Sequence, residues 1–211
     1  LGGWLVLEGY MLHTPGRGSP TSIRAQIVDV IGETGADEFY AAYHDNYVTR
    51  EDIAELAEWG FDHVRMPFHY NMFSKARGVP NEWGYEVTDS LVAWCSDVGM
   101  HVVLDMHCAP GGQNHGPISD SDGTARLWLA DSNKSHTMMI WEAIATRYAN
   151  EPWIGGYDLL NEPVLAEGVS SQAFRRLYTD IAEVIRAVDS THILFIEGNW
   201  YATDFTGLTP P

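Results

Sequence analysis

Short, nearly unbroken apolar runs alternate with amphipathic stretches along the chain. The runs are Trp4 to Leu7, His63 to Phe68, His101 to Met106, Ile154 to Leu160 and His192 to Ile196. None shows the polar–apolar alternation of a half-exposed strand, so they suit parallel strands covered on both faces. Helical periods fill the gaps. Thr49 to Asp52 has capping-box spacing, with Asp in place of the usual Glu, and Ile53, Leu56 and Ala57 follow until Gly60 stops the helix. Further helices are predicted over Thr88 to Val98, Ser135 to Tyr148 and Ser171 to Val188. The last carries Phe174, Leu177, Ile181, Val184 and Ile185 along one stripe.

Repeated strand–helix–strand order implies right-handed crossovers and a parallel sheet, in either a doubly wound sheet or a closed barrel. No glycine-rich phosphate loop follows any run, so the doubly wound nucleotide fold has no support. Polar residues instead gather where the runs end: Glu8, Arg65, His69, His107, Asn161, Glu162 and Glu197. Catalytic groups at the C-terminal ends of several strands are what a (β/α)8 barrel site requires. Residues 10–48 and 107–134 form long connections at that same end, the first with helical turns expected near Ile23–Ile31 and Asp37–Tyr43. Five strands correspond to about five of the barrel's eight strand–helix units. The remainder would come from further chain or from a second chain.

Composition narrows the class. The 211 residues suit one domain, and 45% hydrophobic with 19% charged residues is a globular profile. A net charge of −17 is repelled by phosphate backbones and anionic lipid, so neither nucleic acid nor a membrane surface is an expected partner. No apolar stretch reaches the about 18 residues of a membrane span, and no signal peptide is visible. Eight Trp and ten Tyr serve core packing or stack on flat apolar faces such as pyranose rings; composition does not separate the two. Cys95 and Cys108 do not define a redox compartment.

Three segments carry chemistry. Asn161-Glu162-Pro163 closes a buried run, so Glu162 is expected to project into the cleft; the bland alternative is an acidic helix N-terminus. Asp105 and His107 share one side of a strand by the two-residue period, as metal ligands or, with no convincing third ligand, as hydrogen-bonding groups of the cleft floor. Arg65 is a charge inside an apolar strand. It is either a structural ion pair or the holder of an active-site carboxylate, and the two are compatible.

Together these elements resemble glycoside hydrolase family 5, within the clan of (β/α)8 retaining enzymes. Leu1 to Glu8 (LGGWLVLE) resembles the opening of its β-glucanase members, especially the exo-1,3-glucanase branch. Arg65-Met-Pro67, Asp105-Met-His107 with Ala109 to Asn114, Asn161-Glu162-Pro163, and His192 to Gly198 as the fifth strand match in order and spacing. The resemblance runs to Pro211 and implies that residues 1–211 are the N-terminal portion of one catalytic domain. It implies a retaining endo- or exo-β-glucanase acting on cellulose-like or β-1,3-glucan outside the cell or in the periplasm, with no cofactor or metal. Glu162 would be the general acid/base, Asn161 would bind the sugar 2-hydroxyl, and Arg65 and His107 would support the carboxylates. Glu8, Tyr10, His69, Asn114 and Trp200 would bind substrate. The family's nucleophile is a Glu on a seventh strand, beyond residue 211, and Glu197, on the fifth strand, is not promoted to that role. The competing expectation is a non-catalytic glycan-binding or inactive barrel fragment.

Overall fold

The computed structural model describes residues 1–13, 16 and 18–208; Pro210 and Pro211, where the family resemblance ends, lie outside them. Among the described residues, four strands form one parallel sheet in the order β1 (His63–His69), β4 (His101–Cys108), β5 (Ile154–Asp158) and β6 (Ile193–Phe195). A short antiparallel pair, β2 (Ser74–Ala76) and β3 (Val79–Pro80), follows β1. The helices are α1 (Gly9–Leu12), α2 (Pro20–Tyr47), α3 (Arg50–Glu58), α4 (Glu82–Asp97), α5 (Asp131–Tyr148), α6 (Ser171–Arg186) and α7 (Asn199–Ala202). This alternation is part of a (β/α)8 barrel.

The apolar runs at β1, β4 and β5 form strands whose two faces are both covered, whereas β6 is largely exposed. Met66, Phe68, Leu104, Met106 and Tyr157 are fully buried. Trp141 of α5 packs edge-on against Phe68 and tilted against Tyr157, and its indole N–H donates to the Leu159 carbonyl at 3.1 Å. Phe174 of α6 packs against Trp128 and Tyr178. Thr49 caps α3 with the expected box, its hydroxyl accepting from the Asp52 N–H while Asp52 accepts from the Thr49 N–H. Gly60, at φ 91°, ends that helix region in a conformation that suits glycine.

Trp4 to Leu7 departs from expectation. These residues are buried but form no strand, so the described residues show four parallel strands where five were predicted. The backbone turns at Gly3 (φ 79°), and the segment is pinned by other bonds. The Leu1 ammonium donates to the Arg65 carbonyl at 2.7 Å, Tyr43 donates to the Gly3 carbonyl, and the Trp4 indole donates to the His44 carbonyl. The 10–48 connection is mostly helix. α2 breaks at Gly32 (φ 75°, ψ 169°), and Arg24 reaches across the break to Glu33 and Asp37. Its halves thus fold against one another, with Ile23, Ile27, Phe39 and Tyr43 along a shared groove. Among the described residues no helix is long and apolar enough to cross a membrane.

Candidate active site

The sheet register sets the site. Pro67, Asp105, Asp158 and Phe195 lie side by side across the four strands. Alternate residues share a face, so Asp105 and His107 project together near the C-terminal end of β4. Arg65 enters from β1 and joins the carboxylates. Its Nη1 lies 2.9 Å from Asp105 Oδ2, and its Nε and Nη2 donate to Asp158 Oδ2 at 2.9 and 2.6 Å. Nη2 also donates to Asn161 Oδ1 at 2.9 Å and to Glu197 Oε1 at 3.3 Å. A planar, permanently charged fork suits so many acceptors.

Three carboxyl groups around one guanidinium cannot all ionise freely. Burial, then the neighbouring charge of Asp105, raises Asp158 to about 7, and burial likewise raises Glu197. Asp105 Oδ1 and Asp158 Oδ1 are buried without a hydrogen-bond partner among the described residues, as is Asn161 Nδ2. His107 behaves oppositely. Burial alone would lower its pKa, but hydrogen bonds and charge from Asp105 and Glu8 raise it to about 9. Its Nδ1 is 2.8 Å from Asp105 Oδ2, and its Nε2 is 3.6 Å from Glu8 Oε1. The two carboxylates thus favour the imidazolium form of His107.

Glu162 follows β5 in a left-handed conformation, φ 47°, which costs a residue with a Cβ about 1–2 kcal/mol. Bonds on both sides hold it there. Its N–H donates to Glu197 Oε2 at 2.6 Å, and its carbonyl accepts from Asn114 Nδ2 at 2.9 Å. The preceding residue is fixed too, since the Asn161 N–H reaches the Met106 carbonyl and its own carbonyl accepts from Gln113 Nε2 at 2.8 Å. The Glu162 side chain is half-buried. Among the described residues its carboxylate makes no hydrogen bond or ion pair. Its charge reaches Tyr10, whose hydroxyl pKa is raised first by Glu8, then by burial and by Glu162.

Of the predicted residues, Glu8, Arg65, His107, Asn161 and Glu162 converge, and Tyr10 stands beside them, 70% exposed. Asn114 requires a correction. It is fully buried, and its amide is spent on the Glu162 carbonyl and the Gly116 N–H, so it holds the Glu162 backbone rather than facing a substrate. His69 lies one step outward, with Nδ1 accepting from the Asn71 N–H and Nε2 3.2 Å from Asp120 Oδ2. Trp200 sits in α7 at φ 53°, 57% exposed, three residues beyond Glu197. Asp158 and Gln113 were not singled out in the sequence. Asp158 left a signal, being the one charge in the run Ile154 to Leu160, whereas Gln113 left none. Among the described residues no three His, Cys, Asp or Glu side chains converge to hold a metal, and Asp105 and His107 bond to each other. Cys95 and Cys108 are buried free thiols.

The cellulase family, glycosyl hydrolase family 5, matches residues 23–211. A beta-xylosidase of Phanerodontia chrysosporium is 33% identical over 210 residues, covering 98% of this chain and 43% of that protein. A probable glucan 1,3-beta-glucosidase A of Aspergillus fumigatus is 30% identical over 208 residues, covering 97% and 50%. The crystal structure of rutinosidase from Aspergillus niger superposes on 100% of this chain and 64% of that one, with TM-score 0.82 at 15% identity. The chain spans about half the length of these sequence relatives. With the family pattern matched through most of its length, and the Arg65, His107, Asn161 and Glu162 constellation gathered at the strand ends, the chain belongs to glycosyl hydrolase family 5.

Proposed function

We propose that residues 1–211 form part of one catalytic domain of a retaining β-glucanase, with Glu162 as its general acid/base. One observation carries this reading. At the C-terminal end of the sheet, Asp105, Asp158, Glu197, Glu8 and His107 are tied to one another or to Arg65, while the Glu162 carboxylate has no such bond among the described residues. A proton donor must be held by its backbone and free at its tip. Glu162 transfers its proton to the departing glycosidic oxygen while a second carboxylate, about 5 Å away, attacks the anomeric carbon. Glu162 then takes a proton from the water that releases the sugar.

Glu197 is not that attacking group, because its two oxygens are occupied by Arg65 and by the Glu162 N–H. Asn161, with Oδ1 on Arg65, has its amide nitrogen buried without a partner among the described residues, a donor that a sugar hydroxyl entering the site would satisfy. Glu8, Tyr10 and Trp200 are retained as substrate contacts, and His69 borders a cavity of about 550 Å³ with Asn71, Asn81, Tyr40 and Trp83, beside the charged Arg24, Asp37 and Lys75. Its mixture of amides and flat rings suits a neutral pyranose chain. The substrate is a cellulose-like or β-1,3-linked glucan met outside the cell or in the periplasm, and the net charge of −17 gives a neutral polymer no repulsion. Double displacement between two carboxylates needs no cofactor. The outer edge of β6, with Ile193 and Phe195 exposed, is where further strands would pair, from the same chain or a second one.

Product configuration tests the reading. Proton NMR during hydrolysis of a β-glucan oligosaccharide should show the β-anomer of the new reducing end first, with the α-anomer appearing by slow mutarotation. Initial release of the α-anomer, or the absence of hydrolysis by the complete polypeptide, would overturn it.

A further inference from the structure

We propose that Glu197 is a positioning residue for Glu162: anchored on Arg65, its carboxylate holds the Glu162 main-chain N–H and so fixes the backbone from which the acid/base side chain projects. The inference rests on the acid/base reading of Glu162 and goes beyond it, because Glu197 reaches no substrate in this role.

A glutamate at φ 47° has no intrinsic reason to stay there. Rotation to an ordinary negative φ would redirect its Cα–Cβ bond and take the carboxyl away from its place over the cleft. Two bonds oppose that rotation, the Asn114 amide on the carbonyl side and Glu197 Oε2 on the N–H side at 2.6 Å. The second is charge-assisted, and such bonds are roughly twice as strong as neutral ones. Glu197 is itself held. Its Oε1 accepts from Arg65 Nη2, and its main-chain carbonyl accepts from the Tyr178 hydroxyl at 3.0 Å. The chain of contacts therefore runs from α6 and β1, through the residue just past β6, to the backbone of Glu162. It also explains a carboxyl group kept largely out of water at a strand end where it cannot attack a sugar.

Glu197→Gln tests this with almost no change in volume. A carboxylate presents two acceptor oxygens to its two donors, but an amide has one oxygen. The guanidinium keeps that oxygen, and the amide NH2 is left facing the Glu162 N–H. The complete polypeptide, Glu197→Gln, Glu162→Gln and the double variant would be assayed on aryl β-glucosides with good (2,4-dinitrophenyl) and poor (phenyl) leaving groups, with and without azide. General acid–base catalysis contributes about 100- to 10,000-fold, and a misplaced group forfeits part of that. Glu197→Gln should thus lower kcat on the phenyl glucoside by about 10- to 100-fold, with KM within about 3-fold. The loss on the dinitrophenyl substrate should be smaller and partly relieved by azide, which needs no base to attack. The double variant should be no worse than Glu162→Gln alone, because both act through one group.

Equal losses on both substrates, no relief by azide, or additive losses in the double variant would overturn the positioning role. The same pattern absent from Glu162→Gln itself would instead strike the acid/base reading. If Glu197→Gln does not fold, Tyr178→Phe removes only the phenol bond to the Glu197 carbonyl. A leaving-group-dependent loss there supports the proposal, and an unchanged profile contradicts it.

Discussion

Arg65 gives both Nε and Nη2 to a single oxygen of Asp158, Oδ2, and leaves Asp158 Oδ1 buried without a partner among the described residues. With Asp105 in the same row of the sheet, the folded protein holds a proton on Asp158 up to a pH of about 7, against 3.8 for the ordinary group. The folded state thus binds a proton that the unfolded chain has lost, and its stability falls as pH rises from 3.8 to about 7. Asp158→Asn should abolish that dependence and be at least as stable as the parent above pH 7. Melting temperatures of both proteins across this range check it.

His107 behaves in the opposite sense to an ordinary acid. Its folded pKa of about 9 lies above the ordinary 6.5, so its contribution is fully present below pH 6.5 and is lost as pH rises through about 9. The stability difference between the parent and His107→Gln should therefore be largest in mild acid and shrink across this window. Denaturant midpoints at several pH values would show it.

Arg65 is the hub, and its loss leaves Asp105, Asp158 and Glu197 facing one another. Removing one partner of a buried ionic group typically costs 3–5 kcal/mol. A third of the Arg65 side chain is exposed, at 35%, and water offsets part of that. Arg65→Met should therefore cost about 2–4 kcal/mol at neutral pH, and less in acid where the carboxyl groups protonate. Equilibrium urea unfolding at two pH values measures both.

Gly156 sits in β5 where β6 comes closest. A Cβ there would lie 2.5 Å from the Ile193 carbonyl oxygen and 2.8 Å from Phe195 Cε2. Gly156→Ala should cost about 1–3 kcal/mol through overpacking. It should also push β6 outward and shift Glu197, two residues beyond it. Lower thermal stability together with a reduced kcat on poor leaving groups is the expected pair of results.

The strands β1, β4 and β5 were legible because both their faces are buried, which leaves continuous apolar runs in the sequence. Trp4 to Leu7 shows the limit of that signal: the run reports burial, and burial was met by the Tyr43 and Trp4 bonds and by core packing rather than by a ladder. The β2–β3 hairpin, of three and two residues, is too short to show any period. α2 was read as two pieces, and the break at Gly32 accounts for that reading.

In the site, residues on strands could be placed by the two-residue period, which is why Asp105 and His107 were read together. Asn114 and Gln113 lie in an irregular connection where sequence gives no facing, and both turned inward to hold main-chain groups. Glu162 has no preference for the left-handed region, so neither its conformation nor its dependence on Glu197 had a local signature. Asp158 was the missing counter-ion that an arginine inside an apolar strand required.

The proposed role of Glu162 is delivery of a proton to the leaving oxygen. Its most direct test is the dependence of kcat/KM on leaving-group pKa for a series of aryl β-glucosides, measured with the parent polypeptide and with Glu162→Gln. The parent should show a shallow slope and the variant a steep one, with rates converging for the most acidic phenols. Parallel lines, in which Glu162→Gln loses the same factor on every phenol, would contradict the assignment.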